Sequence, residues 1–204
     1  MKIVRVFRPI VWVAVMAAAL LSAFSARATI YVFDANLDGP SESPPNASPG
    51  TGSAQVTFDN VANTMNVDVT FNGLLGTTTA SHIHAATTSP GTGSAGVATT
   101  TPYFAGFPIG VTSGSYNNTL DMTLASSYNP AFITANGGTT ASAEAALLSA
   151  MLADEAYLNI HTTVFPGGEV SGFLVQVPEP SVLALLALGA VVPAIWRNRN
   201  KVRG

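Results

Sequence analysis

The sequence predicts an all-β domain. It is a β-sandwich of Greek-key-like type with one short helix, set between a cleavable N-terminal signal helix and a short C-terminal transmembrane helix. Three observations lead there. Between residues 29 and 177 the chain is a series of short runs that alternate apolar and polar residues and are bounded by Gly, Pro and Asn, the pattern of half-buried strands. A single stretch, 142–154, has the composition of a helix. No cysteine is present, so a domain of this length rests on a packed core and not on disulfides.

Residues 1–28 read as a secretory signal: Lys2, Arg5 and Arg8, then the apolar run Ile10 to Phe24, then Ala26-Arg27-Ala28 as a small-residue cleavage site. The domain, 29–177, opens with the strand TIYVFDANL (29–37). In SAQVTFD (53–59), Ala54, Val56 and Phe58 share a face. In MNVDVTFNGL (65–74), Met65, Val67, Val69 and Phe71 share one, and the DNVANT turn between the two runs makes a hairpin. TASHIHA (79–85) is a fourth strand. NTLDMTL (118–124) is a fifth, with Leu120, Met122 and Leu124 on one face. AYLNIHT (156–162) and EVSGFLVQ (169–176) form a second hairpin around TVFPGG. The helix 142–154 has Ser142 as its N-cap and Glu144 in its first turn. Residues 38–52 and 86–116 are loops, the second with room for a short strand near Val97 to Thr100.

The last segment, 178–204, has three parts. VPEPS (Val177–Ser181) brings Pro178-Glu179-Pro180, an apolar run follows from Val182 to Trp196, and RNRNKVRG closes the chain. Fifteen residues make roughly 22 Å of helix, a marginal span of a hydrocarbon core roughly 30 Å thick. Arg197, Arg199, Lys201 and Arg203 keep the tail cytoplasmic and place the domain beyond the membrane, in agreement with the signal in front. This arrangement resembles the PEP-CTERM sorting signal of Gram-negative bacteria that make exopolysaccharide. The resemblance implies recognition by an exosortase and removal of the tail near Pro178-Glu179-Pro180, with signal peptidase acting on the N-terminal signal during export. Delivery to the cell surface or extracellular matrix follows, with contact to the membrane only transient. Exopolysaccharide is then a partner to expect.

All eight Lys and Arg lie in the two terminal segments. Residues 29–177 hold every acid except Glu179, ten in all, so the domain has a formal charge of −10. Nucleic acid is excluded as a partner, because its binding exchanges counterions for Lys and Arg. Anionic lipid and phosphate are poor partners for the same reason, and a cationic surface partner is a good one. A Schiff-base lysine, an arginine clamp and a cysteine nucleophile are ruled out by composition.

The chemistry that remains centres on histidine. The chain has three, and two stand in Ala80–Thr87, ASHIHAAT. Alternate residues of a strand lie on one face about 6.6 Å apart, so His82 and His84 project together, opposite Ser81, Ile83 and Ala85. In AYLNIHT, Tyr157, Asn159 and His161 oppose Leu158 and Ile160. If the strands are neighbours the three imidazoles converge, which suits a Cu or Zn site with Glu169 or Asp154 as a fourth ligand. The other reading is structural: histidines that only hydrogen-bond backbone or Thr hydroxyls. The residues leave both open. Gly91-Thr92-Gly93-Ser94-Ala95-Gly96 matches G-x-G-x-x-G but is a loop, since β-branched residues and Pro102 follow it where a dinucleotide site needs a helix. No G-x-S-x-G elbow occurs. A calcium site from Asp34, Asp38 and Glu42 lacks EF-hand spacing.

Four motifs in order resemble the CHRD domain, first described in chordin. They are Glu42 with Pro44-Pro45; Gly52-Ser53-Ala54; His82-Ile83-His84; and Asn159-Ile160-His161-Thr162 with Pro166-Gly167-Gly168-Glu169. Together they span roughly 30–175. The copy departs modestly from the pattern: Ser43 stands where a hydrophobic residue often precedes the prolines. The resemblance implies a β-sandwich and no established catalytic activity, hence a binding or structural domain that is not an enzyme. The alternating histidines are also similar to those of copper/zinc superoxide dismutases. Those enzymes use more histidines and a basic residue near copper, so the likeness stops short of a dismutase. Two functions follow: an exported, surface-sorted binding or structural protein, or a histidine-dependent Cu/Zn protein.

Overall fold

Alternating β-branched and aromatic residues build eight strands in the computed structural model, which describes residues 30–178. The signal segment with Ala26 and Ala28, and the tail with Glu179 and Pro180, lie outside the described residues; Pro178 is exposed at their end. Strands β1 (Ile30–Asp38), β2 (Thr51–Asp59) and β3 (Thr64–Asn72) form a meander, and β5 (Gly114–Asp121) continues it along β3. Strands β4 (Thr78–His84), β6 (Tyr157–Thr162) and β7 (Val170–Phe173) form the other half. The order is β4-β6-β7-β1-β2-β3-β5 with every neighbour antiparallel, and the two-residue β8 (Val175–Gln176) pairs with β1. β1 is the corner. It pairs with β2 along its full length but meets β7 only at Asp38–Ser171.

The curled, sandwich-like sheet closes around one apolar core. Phe33, Leu37, Ala54, Val56, Phe58, Met65, Val67, Val69 and Phe71 enter it from the meander, and Ile83, Leu158, Ile160 and Val170 from the other half. The β2 and β3 faces are those that alternation predicts. The β2–β3 turn is fixed by Asp59, whose Oδ1 accepts from the backbone N–H of Val61 and Ala62. Leu124 is the exception in its run: β5 ends at Asp121, Met122 stays buried, and Leu124 lies on the surface. The run 169–176 is also interrupted, because buried Leu174 turns its N–H to Ala156 O and separates β7 from β8.

The expected helix is α2 (Thr140–Leu152), and a six-residue helix, α1 (Pro130–Ala135), precedes it. Ser142 is not the N-cap of α2. Thr139 is, in a reciprocal capping box with Ser142 one turn inside. α1 carries β-branched Ile133 and Thr134 and is too short to show a helical period, which is why its sequence looks like loop. Val97–Thr100 forms single bridges, His84–Val97 and Thr99–Tyr128, and no strand. This segment returns along the free edge of β4: Ala85 N–H donates to Gly96 O, Ala98 N–H to Ile83 O, and Phe104 N–H to Ser81 O. It covers an edge that would otherwise present unpaired backbone groups.

Candidate metal centre

β4 and β6 are neighbours, so the condition for convergence is met. His82 stands opposite Asn159, His84 opposite Tyr157, and Ala80 opposite His161. Directly opposed residues of an antiparallel pair share a face, and the three imidazoles therefore collect on the side away from Ile83, Leu158 and Ile160. The ring centroids of His82 and His84 are 4.7 Å apart, those of His82 and His161 4.8 Å, and those of His84 and His161 6.1 Å. One nitrogen from each ring lies within 4.8 Å of the others. His82 and His84 are buried and His161 is half-buried. Tyr157 stacks on His84 at 4.7 Å with the planes 4° from parallel.

The hydrogen bonds fix the tautomers. His82 Nδ1 is 3.0 Å from Pro102 O, His84 Nδ1 is 2.8 Å from Ala95 O, and His161 Nδ1 is 2.9 Å from Pro166 O. A carbonyl oxygen only accepts, so each Nδ1 carries the proton and each Nε2 presents a lone pair. His161 Nε2 and His82 Nε2 then face each other at 3.0 Å with no proton between them when the rings are neutral. His84 Nε2 is buried with no hydrogen-bond partner. Nδ1–H held on a backbone carbonyl and Nε2 left free is the arrangement that orients metal-ligating histidines. Two carbonyls come from the loop along the β4 edge, and the third comes from the β6–β7 turn.

The electrostatics keep the lone pairs available. Burial lowers all three imidazoles below their ordinary value of 6.5, and His82 falls furthest, to about 4, with His84 and His161 adding repulsion. Neutral imidazole is the metal-binding form, so burial keeps the rings in that form to lower pH than a free imidazole.

Glu169 does not join the histidines, which corrects its expected role as fourth ligand. It is fully buried, and four donors surround its carboxylate: Ser48 Oγ at 2.6 Å, Thr162 Oγ1 at 2.6 Å, Leu75 N at 2.5 Å and Gly76 N at 3.1 Å. Burial pushes its carboxyl up, and these donors outweigh it and hold the group below the usual range. Asp154 is likewise elsewhere, at a left-handed backbone position (φ 57°) after α2. Asp34, Asp38 and Glu42 form no common site. Asp34 accepts from Gln55 Nε2, Asp38 from Ser41 N, and Glu42 turns inward to Asn159. Among the described residues, the three histidines are the one group of side chains placed to share an ion.

The sequence carries no signal for the three carbonyls, since any residue type offers one. Tyr157 and Asn159 were readable as neighbours of His161 on its strand face. Glu42 was not, because its approach depends on how the loop 39–50 folds back over β6 and β7.

The model of the CHRD domain matches residues 33–174, and the model of the PEP-CTERM protein-sorting motif matches residues 176–200. No curated protein matches the chain, and no solved structure does. The CHRD domain is a non-enzymatic domain type. PEP-CTERM signals mark proteins that Gram-negative bacteria sort to the cell surface or extracellular space, and they are processed by an exosortase. With a match over most of its length and the histidine, proline-glycine and asparagine motifs in place on the sheet, the chain belongs to the CHRD domain family.

Proposed function

We propose that the protein is a surface-displayed metal-binding module, which holds one Cu or Zn ion through His82, His84 and His161 after export and exosortase sorting. The observation that supports this reading is the set of three Nδ1–carbonyl bonds, which leave the three Nε2 lone pairs free in rings that each bring one nitrogen within 4.8 Å of the others. Three imidazoles with an open fourth position are a donor set that Zn and Cu both accept. The position left open takes water or a small ligand. Signal peptidase acts at Ala26-Arg27-Ala28, the C-terminal helix anchors the chain transiently in the inner membrane, and the exosortase releases it near Pro178-Glu179-Pro180. The cation-free shell of residues 29–177 favours cationic partners and neutral glycans of the surface matrix over polyanions.

Metal analysis of protein purified without a His-tag tests the site. The expected content is about one equivalent of Cu or Zn in the wild type, falling below about 0.1 equivalent in His84→Ala. Equal content in both, or none in the wild type after exposure to each ion, removes the reading. Cell fractionation tests the sorting: deletion of residues 178–204 should abolish surface retention, and equal retention with and without them removes that step.

A further inference from the structure

Glu42 is a buried carboxyl without a cation. It is 7% exposed, its Oε1 has no hydrogen-bond partner, and its Oε2 takes one long bond of 3.4 Å from Asn159 Nδ2. Asn159 Oδ1 is also buried without a partner. Residues 29–177 hold no Lys or Arg, so the domain has no permanently charged side chain to pair with it. The seat is nonetheless a built one. A Cβ at Gly168 would stand 2.6 Å from Glu42 Oε2 and 2.6 Å from both amide atoms of Asn159, and φ at Gly168 is 132°. Only glycine lets the β6–β7 turn close on this pair.

The place of the pair gives it a meaning. Asn159 stands opposite His82 in the β4–β6 ladder and opposite Ser171 in the β6–β7 ladder. It alternates with Tyr157 and His161 along one face of β6. Opposed Cβ atoms in such ladders are about 4.5–5.5 Å apart. The Glu42 carboxyl therefore rests on the residue that stands opposite His82 and two places along β6 from His161. The other titratable groups on this face are Asp38, opposite Ser171, with Tyr157 and the histidines. None supplies positive charge while the imidazoles are neutral.

We propose that Glu42 is the counter-charge of the histidine centre, a neutral carboxylic acid in the metal-free protein that releases its proton to solvent when a divalent ion binds the three imidazoles. The proposal rests on the metal-binding reading above. The exchange balances: one dication enters, the Glu42 O–H bond breaks, one proton leaves, and no electron moves. Burial raises Glu42 from the ordinary 4.5 to about 7 and outweighs the Ser171 hydroxyl, the Ser43 backbone N–H and Asn159, which lower it, so the acid form prevails in mildly acidic solution. A nearby dication favours the ionised carboxylate, the reverse of what burial alone does.

Calorimetric titration of the metal-free protein with Zn²⁺ at about pH 6, in two buffers of different protonation enthalpy, counts the protons released. The expectation is about one proton per Zn²⁺ in the wild type and close to none in Glu42→Gln, with affinity about tenfold weaker in the variant. A measurement that needs no variant accompanies it: the infrared band of a protonated carboxylic acid should be present without metal and vanish on adding Zn²⁺. Binding without proton release, equal release from Glu42→Gln, or absence of the band each overturns the counter-charge role and leaves the metal site standing. No Zn²⁺ binding at all overturns the site, and this role with it.

Discussion

Glu169 and Glu42 are both buried carboxyls, and their environments drive them in opposite directions. Glu169 accepts from Ser48, Thr162, Leu75 and Gly76 and ties three loops together as a carboxylate. Its folded value lies below its unfolded one, so its contribution is present above the unfolded value and is lost as pH falls through the folded one. Glu169→Gln puts an NH₂ group against those donors and should cost about 3 kcal/mol, read as a lower urea midpoint at unchanged slope. Glu42 is raised from 4.5 to about 7, so its contribution is present below 4.5 and is lost as pH rises through 7. Glu42→Gln should abolish that alkaline-side decline; identical stability-against-pH curves for the wild type and the variant would contradict the raised value. The histidines act with the other sign. Their folded values are lowered from 6.5, to about 4 for His82, so the metal-free protein should lose stability as pH drops through that window.

Among the elements, α2 and the β6–β7 turn are where short stretches of sequence set larger contacts. α2 holds Ala143, Leu147, Ala150 and Met151 against the core, and its start depends on the Thr139–Ser142 box. Thr139→Ala should lower stability by about 1 kcal/mol, measured by thermal or urea unfolding. At Gly168 the cost is steric as well as conformational, since any Cβ meets Asn159 and Glu42. Gly168→Ala should destabilise by about 2 kcal/mol or more and displace Pro166 O, the acceptor that orients His161. A variant with unchanged unfolding midpoint and unchanged metal content would contradict both effects.

For the whole molecule the charge distribution governs behaviour in solution. Residues 29–177 carry ten acidic side chains and no permanent cation, and the ionised carboxylates among them repel one another across the domain. Raising salt from about 0.01 to 0.5 M should therefore raise Tm by several degrees, as screening shortens from about 30 Å to a few ångströms. A Tm that falls or stays constant would show that the carboxylates do not act as a common field.

Much of this architecture was legible because alternation is a local property. The faces Ala54-Val56-Phe58 and Met65-Val67-Val69-Phe71 were visible as patterns and went into the core as read. The two hairpins followed from the turns between them, and the pairing of His82 with His84 from their spacing along one strand. The sequence by itself determined the all-β class, the C-terminal sorting motif, the cation-free domain and the shared face of His82 and His84. Each of these depends on residue type or on neighbours along the chain. The tertiary structure alone decided that β4 lies beside β6, that three backbone carbonyls hold the three Nδ1 atoms, that Glu169 serves loops and not the histidines, and that Glu42 lies buried against Asn159. Those contacts join residues far apart in the chain, and local periodicity carries no information about which distant strand or loop will arrive.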